Sequence, residues 1–120
     1  MLSNISQNLR TVRGRIQYAA EKAGRAPAEV RLIAVSKTQP ASAIHRAFEA
    51  GQRDYGENYL QDALTKVSTL AQLGLTWHFI GRVQSNKTRN IAEHFDWVHT
   101  IDREKIAQRL SDARLSSHPE

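Results

Sequence analysis

Four times between residues 30 and 115, a short apolar run is followed by a stretch whose apolar residues keep helical spacing. That alternation constrains the chain more than any single motif, because strands and helices of this length in turn give a parallel sheet with right-handed crossovers. Val30, Leu32, Ile33, Ala34 and Val35 form the first run, rich in branched residues and read as a strand covered on both faces. Pro40 suits the first turn of the following helix, Ile44, Ala47 and Phe48 mark its stripe, and Gly51 stops it. Arg53 to Tyr55 is a weaker strand before Gly56, followed by a helix carrying Leu60, Leu64, Val67 and Leu70 and ending near Gly74. Leu75 to Ile80 is a strand with Trp77 and Phe79, and Asn86 to Phe95 is a shorter helix. Trp97 to Ile101 is the fourth strand, Asp102 is placed to cap the last helix, and Ile106, Ala107 and Leu110 mark its buried side.

A helix over about residues 3–24 precedes these units: Ile5, Leu9, Val12, Ile16 and Ala20 recur every three or four residues, with Ser3 as its cap and Gly24 as its end. Arg10, Arg13, Arg15, Lys22 and Arg25 lie mostly off that stripe and read as a solvated basic face. A doubly wound sheet and a barrel both satisfy the pattern, and both place function at the carboxyl ends of the strands. A (β/α)8 barrel needs roughly 250 residues, so 120 residues supply about half of one. The expectation is an α/β fold of one leading helix plus four β/α units, residues 1–120 forming a single, truncated barrel domain. Its first and fourth strands would be open edges, through which two copies could pair.

Lysine and arginine number 17 against 12 aspartates and glutamates, a net charge of +5 that raises the question of nucleic acid. No interleaving of aromatic and basic residues supports that class, which stands last among the readings. The chain has no cysteine, which excludes disulfides, thiolate nucleophiles and cysteine-bound zinc. The N-terminal stretch lacks the apolar core of a signal peptide, and the longest aliphatic stretch, Leu32 to Val35, is too short to cross a bilayer. A soluble cytoplasmic protein with no membrane partner is expected.

The residues that follow the strands are more polar than loop closure requires: Ser36-Lys37-Thr38, Gly56-Glu57-Asn58-Tyr59, His78 with Gly81, and Gln84-Ser85-Asn86-Lys87. In a parallel sheet these loops converge on one face. Strand alternation puts Lys37 on the side of Ile33 and Val35, with its ammonium at the mouth of the sheet. A lysine there forms a Schiff base with an aldehyde once neutral, binds a phosphate, or simply snorkels. His78, between Trp77 and Phe79, reads as a ligand contact or as a satisfied core histidine. Asn58 and Asn86 serve as helix caps in the simpler reading, and Lys87 at a helix start hints at an anionic ligand. No metal-binding spacing, serine-nucleophile motif or glycine-rich phosphate loop occurs, so no metal is expected.

Leu32-Ile33-Ala34-Val35-Ser36-Lys37-Thr38, Tyr55-Gly56-Glu57-Asn58-Tyr59 and Trp77-His78-Phe79-Ile80-Gly81 with Gln84-Ser85-Asn86-Lys87 together resemble the YggS/PROSC family of pyridoxal phosphate homeostasis proteins. The resemblance runs from the leading helix to about Asp112. It implies a barrel similar to the N-terminal domain of alanine racemase, with pyridoxal 5′-phosphate (PLP) held as a Schiff base on Lys37. It also implies that Asn58, His78 and Asn86 line or support the cofactor site. The family is regarded as holding and regulating vitamin B6 and amino- and keto-acid balance without established catalysis, with PLP-dependent apo-enzymes as possible acceptors. A PLP-dependent enzyme of the racemase or decarboxylase barrel type is the alternative. Many members carry a second lysine two positions after the Schiff-base lysine, where this chain has Gln39. The family's phosphate-binding serines and glycines, and its arginine near the pyridine nitrogen, belong to the second half of the barrel.

Overall fold

A computed structural model describes residues 4–118. Helix α1 spans Ile5–Lys22, and four units follow: β1 (Ala34–Val35) and α2 (Ala41–Glu49), β2 (Asp54–Glu57) and α3 (Leu60–Thr69), β3 (Thr76–Phe79) and α4 (Thr88–His94), β4 (Trp97–Val98) and α5 (Glu104–Ser117). Ser3, expected to cap α1, lies outside the described residues. The sheet is wholly parallel in the order β1-β2-β3-β4. That order decides between the two architectures. A doubly wound sheet reverses its strand order at a switch point and carries helices on both faces, whereas a barrel adds each strand beside the last with every helix outside. Here one core cluster takes Ile44 and Ala47 of α2, Leu60 and Ala63 of α3, Ile91 and Ala92 of α4, and Ile106 and Leu110 of α5 against Tyr55, Trp77 and Phe79. All four following helices therefore cover the same face, as in half of a barrel wall.

The first strand corrects the expectation of a run buried on both faces. Only Ala34 and Val35 pair with β2, Val30 is 38% exposed and Val35 is 54% exposed. The apolar character of Val35 belongs to the uncovered face of the sheet, where Trp97 is also 53% exposed. β4 is likewise two residues long, so both edges offer little ladder to an incoming strand. β2 instead runs further than its weak sequence signal, through Gly56 and Glu57, because β3 pairs with all four of its residues. Asp102 does not cap α5; Arg103 holds that position without a side-chain cap, and Asp102 lies near Arg82 and Arg103.

The basic face of α1 also needs one correction. Arg13 is half-buried and donates to the Ala50 carbonyl, 3.0 Å, and to Gln52 Oε1, 2.6 Å. A guanidinium at the carboxyl end of α2 suits that helix's dipole. Gln52, buried, passes the tie on through Nε2 to the carbonyls of Leu32 and Asp54, so α1, the approach to β1 and the start of β2 are joined by one side chain. Among the described residues no helix is long and apolar enough to cross a membrane.

Candidate functional site

The strand register sorts the functional candidates by face. Val35, Gly56, His78 and Trp97 form one row across the uncovered face, while Ala34, Tyr55 and Trp77 form a row on the helix-covered face. The last ladder bonds of these pairs run from Ser36 N–H to Gly56 O, Ile80 N–H to Glu57 O and His99 N–H to Phe79 O. Asn58, Ile80 and His99 follow at the carboxyl end of the sheet, and Lys37 sits there in the turn just beyond β1. Lys37 is exposed and Asn58 half-buried.

Beneath Lys37, on the covered face, lies a charged cluster that sequence reasoning missed. Glu57 is wholly buried and Lys66, on α3, is 5% exposed. Lys66 Nζ donates to Glu57 Oε2 at 2.9 Å, to the Ser36 carbonyl at 2.8 Å, and meets Asp62 Oδ2 at 3.0 Å. The Ser36 hydroxyl donates to the same Glu57 oxygen. Removing one member of such a buried pair costs about 3–5 kcal/mol, since the other charge is left without compensation. The available signal was positional: on α3, residue 66 falls three after Ala63 and four before Leu70, both buried.

Lys37 itself occupies a tight turn. Gln39 N–H donates to the Ser36 carbonyl at 3.0 Å, and Thr38, the third residue of that turn, has φ +65°. Among the described residues Thr38 is the one non-glycine residue with positive φ. A left-handed conformation costs a branched residue about 1–2 kcal/mol. Turns that require it ordinarily place Gly or Asn there.

His78 is buried with both ring nitrogens engaged: Nε2 donates to Asp54 Oδ1 at 2.9 Å, which leaves Nδ1 to accept from His99 Nε2 at 2.9 Å when His78 is neutral. Trp97 stacks on its ring at 6.2 Å, interplanar angle 8°. His78 and His99 are thus joined through β3 and the end of β4. Within the chain His78 is a satisfied histidine that braces the uncovered face.

Neither asparagine caps a helix. Tyr59 and Lys87 hold the cap positions of α3 and α4 without side-chain bonds, which overturns the simpler reading of both. Asn58 Oδ1 is buried without a hydrogen-bond partner. Its backbone is pressed by Gly81, where a Cβ would lie 3.0 Å from the Asn58 carbonyl oxygen and 3.1 Å from its Cα. Asn58, Tyr59, Arg82, Gln84 and Lys87 line a depression of ≈ 470 Å³. Asn86 stands exposed on the turn Ser85–Lys87 and does not line that depression. Among the described residues no group of three or more His, Asp or Glu side chains is placed to hold a metal ion.

No family model matches the chain. It is 60% identical over 118 residues to a pyridoxal phosphate homeostasis protein of Pseudomonas aeruginosa, covering 98% of this chain and 51% of that protein. It is 54% identical over 121 residues to the pyridoxal phosphate homeostasis protein of Escherichia coli strain K12, covering 98% and 52%. Over nearly its whole length the chain is thus similar to pyridoxal phosphate homeostasis proteins. It spans about half the length of the curated relatives it matches. Among solved structures it is similar to PipY of Synechococcus elongatus PCC7942 with PLP bound, at a TM-score of 0.70 and 46% identity, over 82% of this chain and 47% of that one. It is also similar to a protein of unknown function from Bifidobacterium adolescentis, at a TM-score of 0.83 and 29% identity, over 96% and 51%. Both coverages near one half agree with a parallel sheet that is half of a barrel wall.

Proposed function

We propose that this chain is a cytoplasmic PLP-holding protein of the homeostasis type, without catalytic turnover, in which Lys37 is the covalent attachment point. The observation that carries this reading lies at the carboxyl end of the sheet, where the exposed Lys37 follows β1 and Asn58, whose amide oxygen is buried and unpartnered, follows the neighbouring β2. An orphaned acceptor beside an amine suits a ligand that brings its own hydroxyl and aldehyde groups. The PLP bound to PipY, and the names of the 60% and 54% identical relatives, support the same reading.

Residue roles follow from placement. Lys37, as the neutral amine, bonds to the aldehyde carbon and one water leaves. Asn58 offers its free amide to a ring substituent. His78 supports the floor of the site through Asp54 and His99, with Trp97 stacked against it. Lys87 and Arg82, lining the depression beside Asn58, are the nearby cations for a phosphate, and Asn86 is assigned an outer contact on the same turn as Lys87. When bound, PLP supplies an electrophilic aldehyde and an electron-withdrawing ring. Transfer to a PLP-dependent apo-enzyme extends the same reading.

The test is a titration with PLP followed by absorbance near 420 nm, roughly, then borohydride reduction and peptide mass analysis. The band and a pyridoxyl group on the peptide containing Lys37 are expected, and both vanish in Lys37→Ala. A band of equal strength in Lys37→Ala would overturn the assignment.

A further inference from the structure

We propose that the buried cluster of Lys66, Glu57 and Ser36 is a positioning device for Lys37, holding taut a turn that the chain would otherwise relax. The inference rests on the reading of Lys37 as the PLP attachment point and concerns how that amine is presented.

Every polar group of Ser36 is taken. Its N–H donates to Gly56 O at 3.0 Å, its hydroxyl donates to Glu57 Oε2, and its carbonyl accepts from both Lys66 Nζ at 2.8 Å and Gln39 N–H at 3.0 Å. The residue immediately before Lys37 is therefore fixed in the covered layer, with Ser36 4% exposed and Glu57 at zero. The residue immediately after it, Thr38, sits at φ +65°. Glycine would adopt that conformation freely, whereas Thr38 holds it at a steric cost, retained by its own hydroxyl on the Lys37 carbonyl and by the bonds that fix Ser36. A hydrophobic side chain at position 66 of α3 would fill the same space. A lysine there needs a buried carboxylate and, in return, supplies a donor that reaches across to β1. Glu57 is the last residue of β2 and stands in the row of Ser36. The ends of two neighbouring strands and one helix thus converge on the carbonyl that precedes Lys37.

If the cluster holds the turn, releasing it lets Lys37 sample other positions, and PLP binds only the fraction of molecules in the competent one. The test uses the paired substitution Glu57→Gln with Lys66→Met, which removes the donor to Ser36 without leaving a lone buried charge. Apparent PLP affinity from the 420 nm band is expected to fall about tenfold, as for a turn competent one time in ten. The share of borohydride-trapped pyridoxyl on Lys37 is expected to fall against that on Lys22, Lys87 and Lys105. Adding Thr38→Gly, which makes the turn self-supporting, is expected to return affinity to within about twofold of the parent. Adding Gly14→Ala in the exposed middle of α1 is expected to recover stability alone.

Parent-like affinity in a folded Glu57→Gln/Lys66→Met chain overturns the proposal, as does equal rescue of affinity by Gly14→Ala. If the pair does not fold, Ser36→Ala carries the test: a loss of about threefold supports the proposal and parent-like binding overturns it. A band that survives Lys37→Ala defeats the attachment reading, and the positioning role falls with it. A band lost in Lys37→Ala but indifferent to the cluster defeats the positioning role alone.

Discussion

The contact between Gly81 and Asn58 gives a substitution whose effect follows from geometry. In Gly81→Ala the new Cβ would stand 2.9 Å from Asn58 Cβ, 3.0 Å from its carbonyl oxygen and 3.1 Å from its Cα. Carbon atoms pack best at about 3.5–4.0 Å, so the strand end must move by roughly half an ångström. Two of the three atoms met are backbone, and no rotamer change relieves them. Overpacking of this kind costs about 1–3 kcal/mol. Against it stands the reduced freedom of the unfolded chain, worth about 0.4–1 kcal/mol. Gly81 is not among the glycines with positive φ, which are Gly24, Gly51 and Gly74, so no backbone term is added. The net loss is about 1–2 kcal/mol, or a fall in Tm of roughly 3–10 °C for a chain of this size.

Gly14→Ala provides the matched comparison, because its Cβ meets nothing within 4 Å and lies within the α1 helix. There alanine gains about 1 kcal/mol over glycine. The same chemical change is thus expected to have opposite signs at the two positions, read as urea midpoints by far-UV circular dichroism with unchanged slope. Because Asn58 bears the displacement, Gly81→Ala is also expected to weaken the 420 nm band while Gly14→Ala leaves it alone. A Gly81→Ala chain as stable as its parent would show that the end of β2 yields freely and that the close approach has no structural weight.

Two further outcomes follow from buried polar groups. Tyr55, 1% exposed, has its hydroxyl 2.8 Å from Gln52 O and 3.2 Å from Ile44 O, and burial raises its pKa from 10.0 to about 12, with Arg13 and Arg53 pulling the other way and Asp54 adding to the rise. The folded chain therefore keeps the phenolic proton that the unfolded chain loses first, so this contribution, about 2–3 kcal/mol, is whole below pH 10 and lost between pH 10 and 12. Urea midpoints should drop across that window in the parent and by less in Tyr55→Phe. Arg13→Ala removes the donors to Ala50 and Gln52, and a loss of about 1–2 kcal/mol is expected in the same assay, against no measurable change in Arg15→Ala on the exposed part of α1.

The alternation of apolar runs and helical stripes made the four units legible because each helix buries one stripe against one strand, and that demand appears directly in the spacing of Leu60, Ile91 and Ile106. Strand length was less legible. The apolar residues among Val30 to Val35 have two reasons to be so, partial cover by neighbours and membership of a face that this half-wall leaves open, and periodicity does not separate them. Charged residues misled in the same way. Arg13 and Lys66 look like solvent-facing cations, yet each reaches a carbonyl across a gap of thirty or more positions, and only the fold brings those carbonyls near.

The site follows the same division. The exposed position of Lys37 just after β1 was legible, because a lysine that follows an apolar strand has few ways to place its charge. What surrounds it was not, since the Ser36 carbonyl, the orphaned Asn58 oxygen and the link from Asp54 through His78 to His99 are products of register between strands about twenty residues apart. Register also explains the arrangement. On the covered face the row of Ser36, Glu57 and Phe79 is dry and helix-packed, so a charge there must be paired. Beyond it, at the carboxyl end, Lys37 is exposed and Asn58 half-buried, with an amide oxygen that meets no partner. The short turn at Lys37 joins the two, with its first residue in the paired layer and its second exposed, and there the rigidity of the buried cluster can be spent on placing the amine.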